Sequence, residues 1–527
     1  MRATVRAIDV PQSRAAVREG SHIRVGAYPA WRWWPSVAAL AFGAFALRLP
    51  YLAVPLSADE GGYATAAYWW ARGDTLYQSI TITRPQGIFV VFRALDVLGL
   101  GSPYGIHLVA ALWATLSALA LLALAARLWG RGIGLGAAAL YAAVMATPWV
   151  EGYQANAELF MTLPLLLALL ALVRADASAL AARRGLLWLG ASGLLGAFAL
   201  LLKPAAVAVL PLGALWLLRR RMTEGRSWRE LAVALAALAG GWALGLLPAL
   251  AHGLLTVPDR YLGAVVFYRL GQDSLLGGAL AHQVGYAATN TLYLLGHLPL
   301  LLLAPFGFRL AAHGGDRGAR AASRTFLALW ALTALGGVSL GGNWFLHYYQ
   351  QLLPPLAVAV ALVTRGLLRR PLAPPRFAAL CLVVCAVLVL LFPIARGVVA
   401  GVDPATLPEW EPGVAAAAPV AAYLAAHTAP TETVYVAYDH ADMYYLAARR
   451  PAARWLHFRE LGWTPGAFTE QVDRLGDPAT APRYIVGAQA FDFRGFDADG
   501  ALRAIVARDY MLETAIDGVP LYRRVGK

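Results

Sequence analysis

The chain is short of charge. Only 14% of its 527 residues are Asp, Glu, Lys or Arg, against roughly 25% in a soluble globular protein, so the polar coat that would solvate a soluble body of this length is missing. Cysteine is nearly absent. The two present, Cys381 and Cys385, lie four apart in one apolar run, which excludes a disulfide framework and reads as core packing. Lysine is equally scarce: Lys203 and Lys527 are the only two, and every other one of the 44 basic residues is arginine. The chain also lacks a Walker loop, a Gly-x-Ser-x-Gly elbow, a dinucleotide fingerprint and any His/Cys/Asp set at zinc spacing, so soluble nucleotide chemistry has no visible site. The formal charge of +14 does not indicate nucleic acid, because the excess arginines are spread over short gaps between apolar stretches.

What the chain has in abundance is apolar length, with 59% hydrophobic residues and a mean hydropathy of +0.57. About eleven runs of spanning length, the first at 34–54 and the last at 377–396, predict a polytopic α-helical membrane protein. Residues 1–33 are polar and arginine-rich and read as a cytoplasmic segment; the run that follows is too long for a signal-peptide core. Most later arginines fall in alternate gaps, for example Arg127 and Arg131, then Arg183 and Arg184, then Arg219 to Arg229. The positive-inside rule then puts the N-terminus in the cytoplasm and, with an odd number of spans, the C-terminus outside. The expected organisation is a membrane domain over 34–400 with external loops 55–104 and 252–287, followed by an extracytoplasmic α/β domain over 401–527. That tail holds 16 acidic and 12 basic residues, and strand-like runs at 434–438 and 484–486 alternate with helix-like stretches. Pro404, Pro408 and Pro412 suit a linker into it.

Several polar residues on the external side stand out against this background. Asp59 and Glu60 open the first external loop, just after a span. Ser57 or Asp59 can cap a helix there, with residues 60–72 lying as an amphipathic helix on the membrane; alternatively Asp59 faces a cavity and takes a proton from an acceptor hydroxyl. Glu151 lies in the next external gap and Glu158 begins a span, where it either complements the helix dipole or serves as a second carboxylate beside Asp59. Lys203, between two apolar runs, is a compact ammonium suited to an anion, unless it reaches up to the lipid headgroups. Arg84, Arg260 and Arg269 are cations on a side that should be poor in them, and a phosphate is the natural partner. His347 and its aromatic neighbours read either as part of the same polar site or as an interfacial belt.

Asp59-Glu60-Gly61-Gly62-Tyr63 with the later Thr83-Arg84-Pro85-Gln86-Gly87 turn, an acid at Glu158 and the Lys203-Pro204 pair resemble the GT-C class of polytopic glycosyltransferases. The resemblance is to the bacterial relatives of protein O-mannosyltransferase and of the lipid A aminoarabinose transferase. It implies a GT-C-type membrane fold of the cytoplasmic (inner) membrane. The implied activity is inverting transfer of a sugar from a polyprenyl-phosphate donor to an envelope lipid, glycan or protein on the outer face. By the same resemblance Asp59 matches the base, Glu158 and Glu60 are further acids, and Lys203, Arg84, Tyr63, His347, Arg260 and Arg269 are the phosphate- and donor-side residues. No metal ligand is assigned, and a divalent metal is left open. Gly62 stands where the aminoarabinose transferase has an arginine. The alternative is a secondary transporter or polyprenyl flippase, which would show repeated halves and broken midplane helices; this chain has no repeat.

Overall fold

The computed structural model describes residues 33–176, 182–270, 280–310, 317–368, 387–392, 394–397, 399, 402–403, 407, 412–437, 439–495 and 497–526. The arginine-rich N-terminal segment, Cys381, Cys385, most of the last apolar run and the prolines at 404 and 408 lie outside the described residues.

The apolar runs before residue 369 coincide with helices: α1 (Trp34–Ala46), α4 (Pro103–Trp129), α5 (Arg131–Met145), α6 (Ala157–Asp176), α7 (Arg183–Leu202), α8 (Val209–Glu224), α9 (Trp228–Thr256), α11 (Leu280–His297) with α12 (Ala304–Leu310), α13 (Arg317–Ser339) and α14 (Leu353–Leu368). The loops at 55–104 and 252–287 add α2 (Ala58–Ala71), α3 (Gln86–Val97) and α10 (Pro258–Val265). Among the described residues, five helices are long and apolar enough to cross a bilayer, or six if the pair meeting at a 100° bend over 280–310 counts as one. Several others are shorter than the roughly 20 residues a perpendicular crossing takes.

Small residues set the closest crossings. Gly193 of α7 lies directly on Leu238 and Gly241 of α9, and Gly241 on Gly190, so a methyl group at either would strike backbone. Such approach is what holds helices together where lipid removes the hydrophobic drive. The α4–α5 hairpin turns at Gly130, whose φ of 94° few other residues adopt.

The C-terminal part is a five-stranded mixed sheet in the order β2-β1-β3-β5-β4, built from β1 (Thr433–Val436), β2 (Arg450–Pro451), β3 (Tyr484–Val486), β4 (Tyr510–Ile516) and β5 (Val519–Arg524). β1 is parallel to β2 and β3; β5 is antiparallel to β3 and β4. The β4–β5 turn uses Asp517 and Gly518, both at positive φ, as a two-residue hairpin of the primed type requires. Side chains alternate across the sheet. Tyr435 and Ile485 enter a local core with Leu475, Phe491 and Leu502, while Val434, Val436, Tyr484 and Val486 join the main core shared with the membrane domain. The sheet is therefore packed into that domain by one face.

Candidate active site

The N-terminus of α2 is fixed by a reciprocal cap. Ser57 accepts from the Glu60 backbone N–H, and Glu60 Oε2 accepts from the Ser57 N–H at 2.8 Å. The other Glu60 oxygen accepts from Ala155 N–H at 2.5 Å and meets His107 Nε2 at 3.0 Å. Glu60 thus ties α2 to α4 and to the loop before α6. These contacts occupy its carboxylate and keep it apart from Asp59, about 100° round the helix. Residues 60–67 are all buried, so α2 does not lie on the membrane surface as an amphipathic helix; the sheet domain covers it.

Asp59 turns to a different set of partners. Its carboxylate accepts from the Tyr63 hydroxyl at 3.1 Å and lies 3.9 Å from Arg84 Nη2, with 27% of the side chain exposed. Burial alone would raise its pKa. The cations Arg84, Lys203, His347 and His457 override that and hold the carboxyl well below the usual carboxylate range. Tyr63 is buried edge-on against Phe89 and Phe92, which orients its hydroxyl.

A second cluster carries charges that act on Asp59. Asn156 caps α6, its side chain accepting from Leu159 N–H at 3.1 Å, and so sets Glu158 in the first turn. There Glu158 is paired with Lys203, the residue that ends α7, and lies 3.8 Å from His347 Nε2. His347 Nδ1 meets Glu151 at 2.5 Å. Glu151 and Trp344 both adopt a left-handed backbone, φ 51° each, a conformation that costs a non-glycine residue about 1 kcal/mol or more and tends to mark functional sites. The Lys203 ammonium stands 4.6 Å from the centre of the Tyr348 ring, and the Tyr348 phenol also bears electrostatically on Arg84. Just past Lys203, Leu165, Leu169, Ala206, Val209, Trp330 and Gln351 line a small, largely apolar depression.

Of the remaining sequence-read positions, Arg260 is exposed on α10 and makes no contact with the carboxylates, while the side chain of Arg269 lies outside the described residues. Among the described residues no group of three or more His, Cys, Asp or Glu is arranged to hold a metal ion.

Solved structures share the fold. The aminoarabinose transferase ArnT from Cupriavidus metallidurans, bound to undecaprenyl phosphate, superposes over 94% of this chain and 99% of its own, at 16% identity and a TM-score of 0.58. The oligosaccharyltransferase of Archaeoglobus fulgidus in its apo form covers 89% of this chain and 71% of its own, at 15% identity and TM-score 0.57. The same organism's AglB, in complex with an inhibitory peptide and a dolichol-phosphate, covers 94% and 74% at 13% identity and TM-score 0.52. The fold is that of the GT-C class. No family profile matches the chain, and no curated protein matches it in sequence.

Within this GT-C fold the sheet domain packs onto α2 beside Asp59, which the sequence reading did not anticipate. Gly61 leaves room for the backbone of Asp442, and Gly62 for the imidazole of His457: a methyl at Gly62 would lie 2.5 Å from His457 Nε2. Thr65 Oγ1 donates to Ala441 O at 2.7 Å. Glu460 accepts from both the N–H and the hydroxyl of Thr83, each at 2.7 Å, and so steadies the turn that carries Arg84. Asp439 sits 3.4 Å from His457 Nδ1. Burial would lower the His457 pKa, but the Asp439 hydrogen bond and charge, then Glu460 and Asp59, bring it up to about 9. The consecutive glycines after an acid pair were the one available signal, since two adjacent glycines weaken a helix unless something must approach it closely. His107 carried the signal of a lone polar group in an apolar helix.

Proposed function

We propose that the chain is an inverting glycosyltransferase that moves a sugar from a polyprenyl-phosphate donor to a hydroxyl of an envelope lipid, glycan or protein. The reaction takes place at the outer face of the cytoplasmic membrane, with the N-terminus cytoplasmic and the sheet domain outside. The observation that carries this reading is the ionised Asp59 beside Arg84, with Lys203, His347 and His457 close enough to act on its charge. Two of the structures with this fold hold a polyprenyl phosphate, undecaprenyl in one and dolichol in the other.

The chemistry follows from charge. As the acceptor oxygen bonds to the anomeric carbon, the bond from that carbon to the phosphate oxygen breaks and negative charge grows on the departing polyprenyl phosphate. Fixed cations stabilise that charge, with Arg84 and Lys203 in that role and Glu158 holding Lys203. Asp59 receives the acceptor proton. In the free protein the neighbouring cations make Asp59 a weak base. A phosphate bound by those same cations screens them and repels the carboxylate, returning Asp59 toward an ordinary carboxylate pKa when the donor is in place.

The test is transfer from a radiolabelled polyprenyl-phosphate sugar by the purified chain in sealed proteoliposomes. Release of free polyprenyl phosphate together with a labelled acceptor supports the reading. Movement of the intact donor across the bilayer without cleavage would sink it in favour of a flippase.

A further inference from the structure

The sheet domain meets α2 with unusual intimacy for two parts so distant in sequence. On α2, Asp59 and Gly62 are three residues apart and share a face, where neighbouring positions lie roughly 5–6 Å from each other. Gly62 offers no side chain, and the imidazole of His457 takes that space against the helix backbone and Ile82. Nε2 is buried there without a hydrogen-bond partner, while Nδ1 is held by Asp439, which also accepts from the Phe458 N–H at 2.9 Å. A ring anchored on one nitrogen and pressed into a glycine socket on the other is fixed against α2, near enough for its charge to act on Asp59.

Resting on the glycosyltransferase reading, we infer that His457 is a positioning residue for the reaction: the docked sheet domain supplies a fixed cation that sets how readily Asp59 accepts the acceptor proton. The groups facing Asp59 are Tyr63 on its own helix, Arg84 on the turn before α3, Glu158 and Lys203 at the ends of α6 and α7, His347 on the 3-10 turn Leu346–Gln351, and His457. Those facing His457 are Asp439, Glu460 and Asp59. Of the cations around Asp59, His457 alone comes from beyond residue 400, so removing the sheet domain from α2 would remove that cation and leave the others in place.

The experiment is kcat against pH at saturating donor, with the full chain in nanodiscs, for wild type, His457→Gln and Asp439→Asn. Removing a positive charge beside Asp59 raises the pH at which it protonates. The acid limb of His457→Gln is therefore expected about one pH unit above that of wild type. Asp439→Asn disturbs the same loop yet leaves His457 protonated in acid, so its limb is expected to coincide with wild type. A limb that moves equally in both variants marks a structural effect and overturns the inference. So does one that moves in neither. Wild type that transfers no sugar from any polyprenyl-phosphate donor overturns the proposed function, and the inference with it.

Discussion

Lys203 and Glu158 form an ion pair whose side chains are 3% and 1% exposed. Removing one partner leaves a buried charge uncompensated, which costs about 3–5 kcal/mol. Lys203→Ala is therefore expected to lower the melting temperature, and the double change Lys203→Met with Glu158→Gln to recover most of it. If the ammonium also holds the donor phosphate, the double variant should still bind undecaprenyl phosphate about tenfold or more weakly. Lipid binding restored along with stability would make the pair purely structural.

Asp59→Asn keeps the size of the side chain and an oxygen to accept from Tyr63. Turnover should fall by roughly 10² to 10⁴, the usual contribution of a general base, with little change in melting temperature. Near-normal turnover would remove Asp59 from the reaction.

Asp442 gives the docking of the sheet domain a pH dependence. The residue is 2% exposed, and burial pushes its pKa up to about 7, with nearby backbone N–H groups opposing the rise and the Glu60 charge adding to it. A folded-state pKa raised above the unfolded value near 3.9 stabilises the protein at acid pH, and that stabilisation is lost as pH rises through about 7. Protection factors for amide hydrogen exchange across residues 58–71 and 439–447, with the base-catalysed intrinsic rate divided out, should accordingly be higher at pH 6 than at pH 8. Asp442→Asn should flatten that difference.

The two α2 glycines should differ in tolerance. A methyl at Gly61 meets the backbone of Asp442, which cannot move aside, whereas at Gly62 it meets the His457 ring. Gly61→Ala is expected to destabilise by about 1–3 kcal/mol, and Gly62→Ala to cost less stability while displacing His457. Thermal unfolding of both variants ranks them; equal melting temperatures would contradict the close contact.

Much of this was legible in the sequence because it follows from local chemistry. Apolar runs become helices wherever they are long, and Val434 to Val436 and Tyr484 to Val486 are β-branched or aromatic enough to be strands. The Ser57 cap follows from a serine three residues before a glutamate. The partnering was not legible. Glu60 and Asp59 are adjacent acids, and only the helical turn sends one to His107 and the other to Arg84. His457 and Glu460 lie almost 400 residues from Gly62 and Thr83, and no local pattern ties a histidine in one domain to a missing side chain in another. The β4–β5 hairpin carried an Asp-Gly signal, but exposed residues such as Met511 and Leu512 blur its alternation.

The sheet's divided allegiance bears on how the molecule can be handled. Because Val434, Val436, Tyr484 and Val486 belong to the same core as the spanning helices, severing the polypeptide near residue 411 would not liberate a well-behaved soluble fragment. It would bare a greasy flank on one piece and strip the roof from α2 on the other. Neither half is a finished object, and experiments on the protein should keep both.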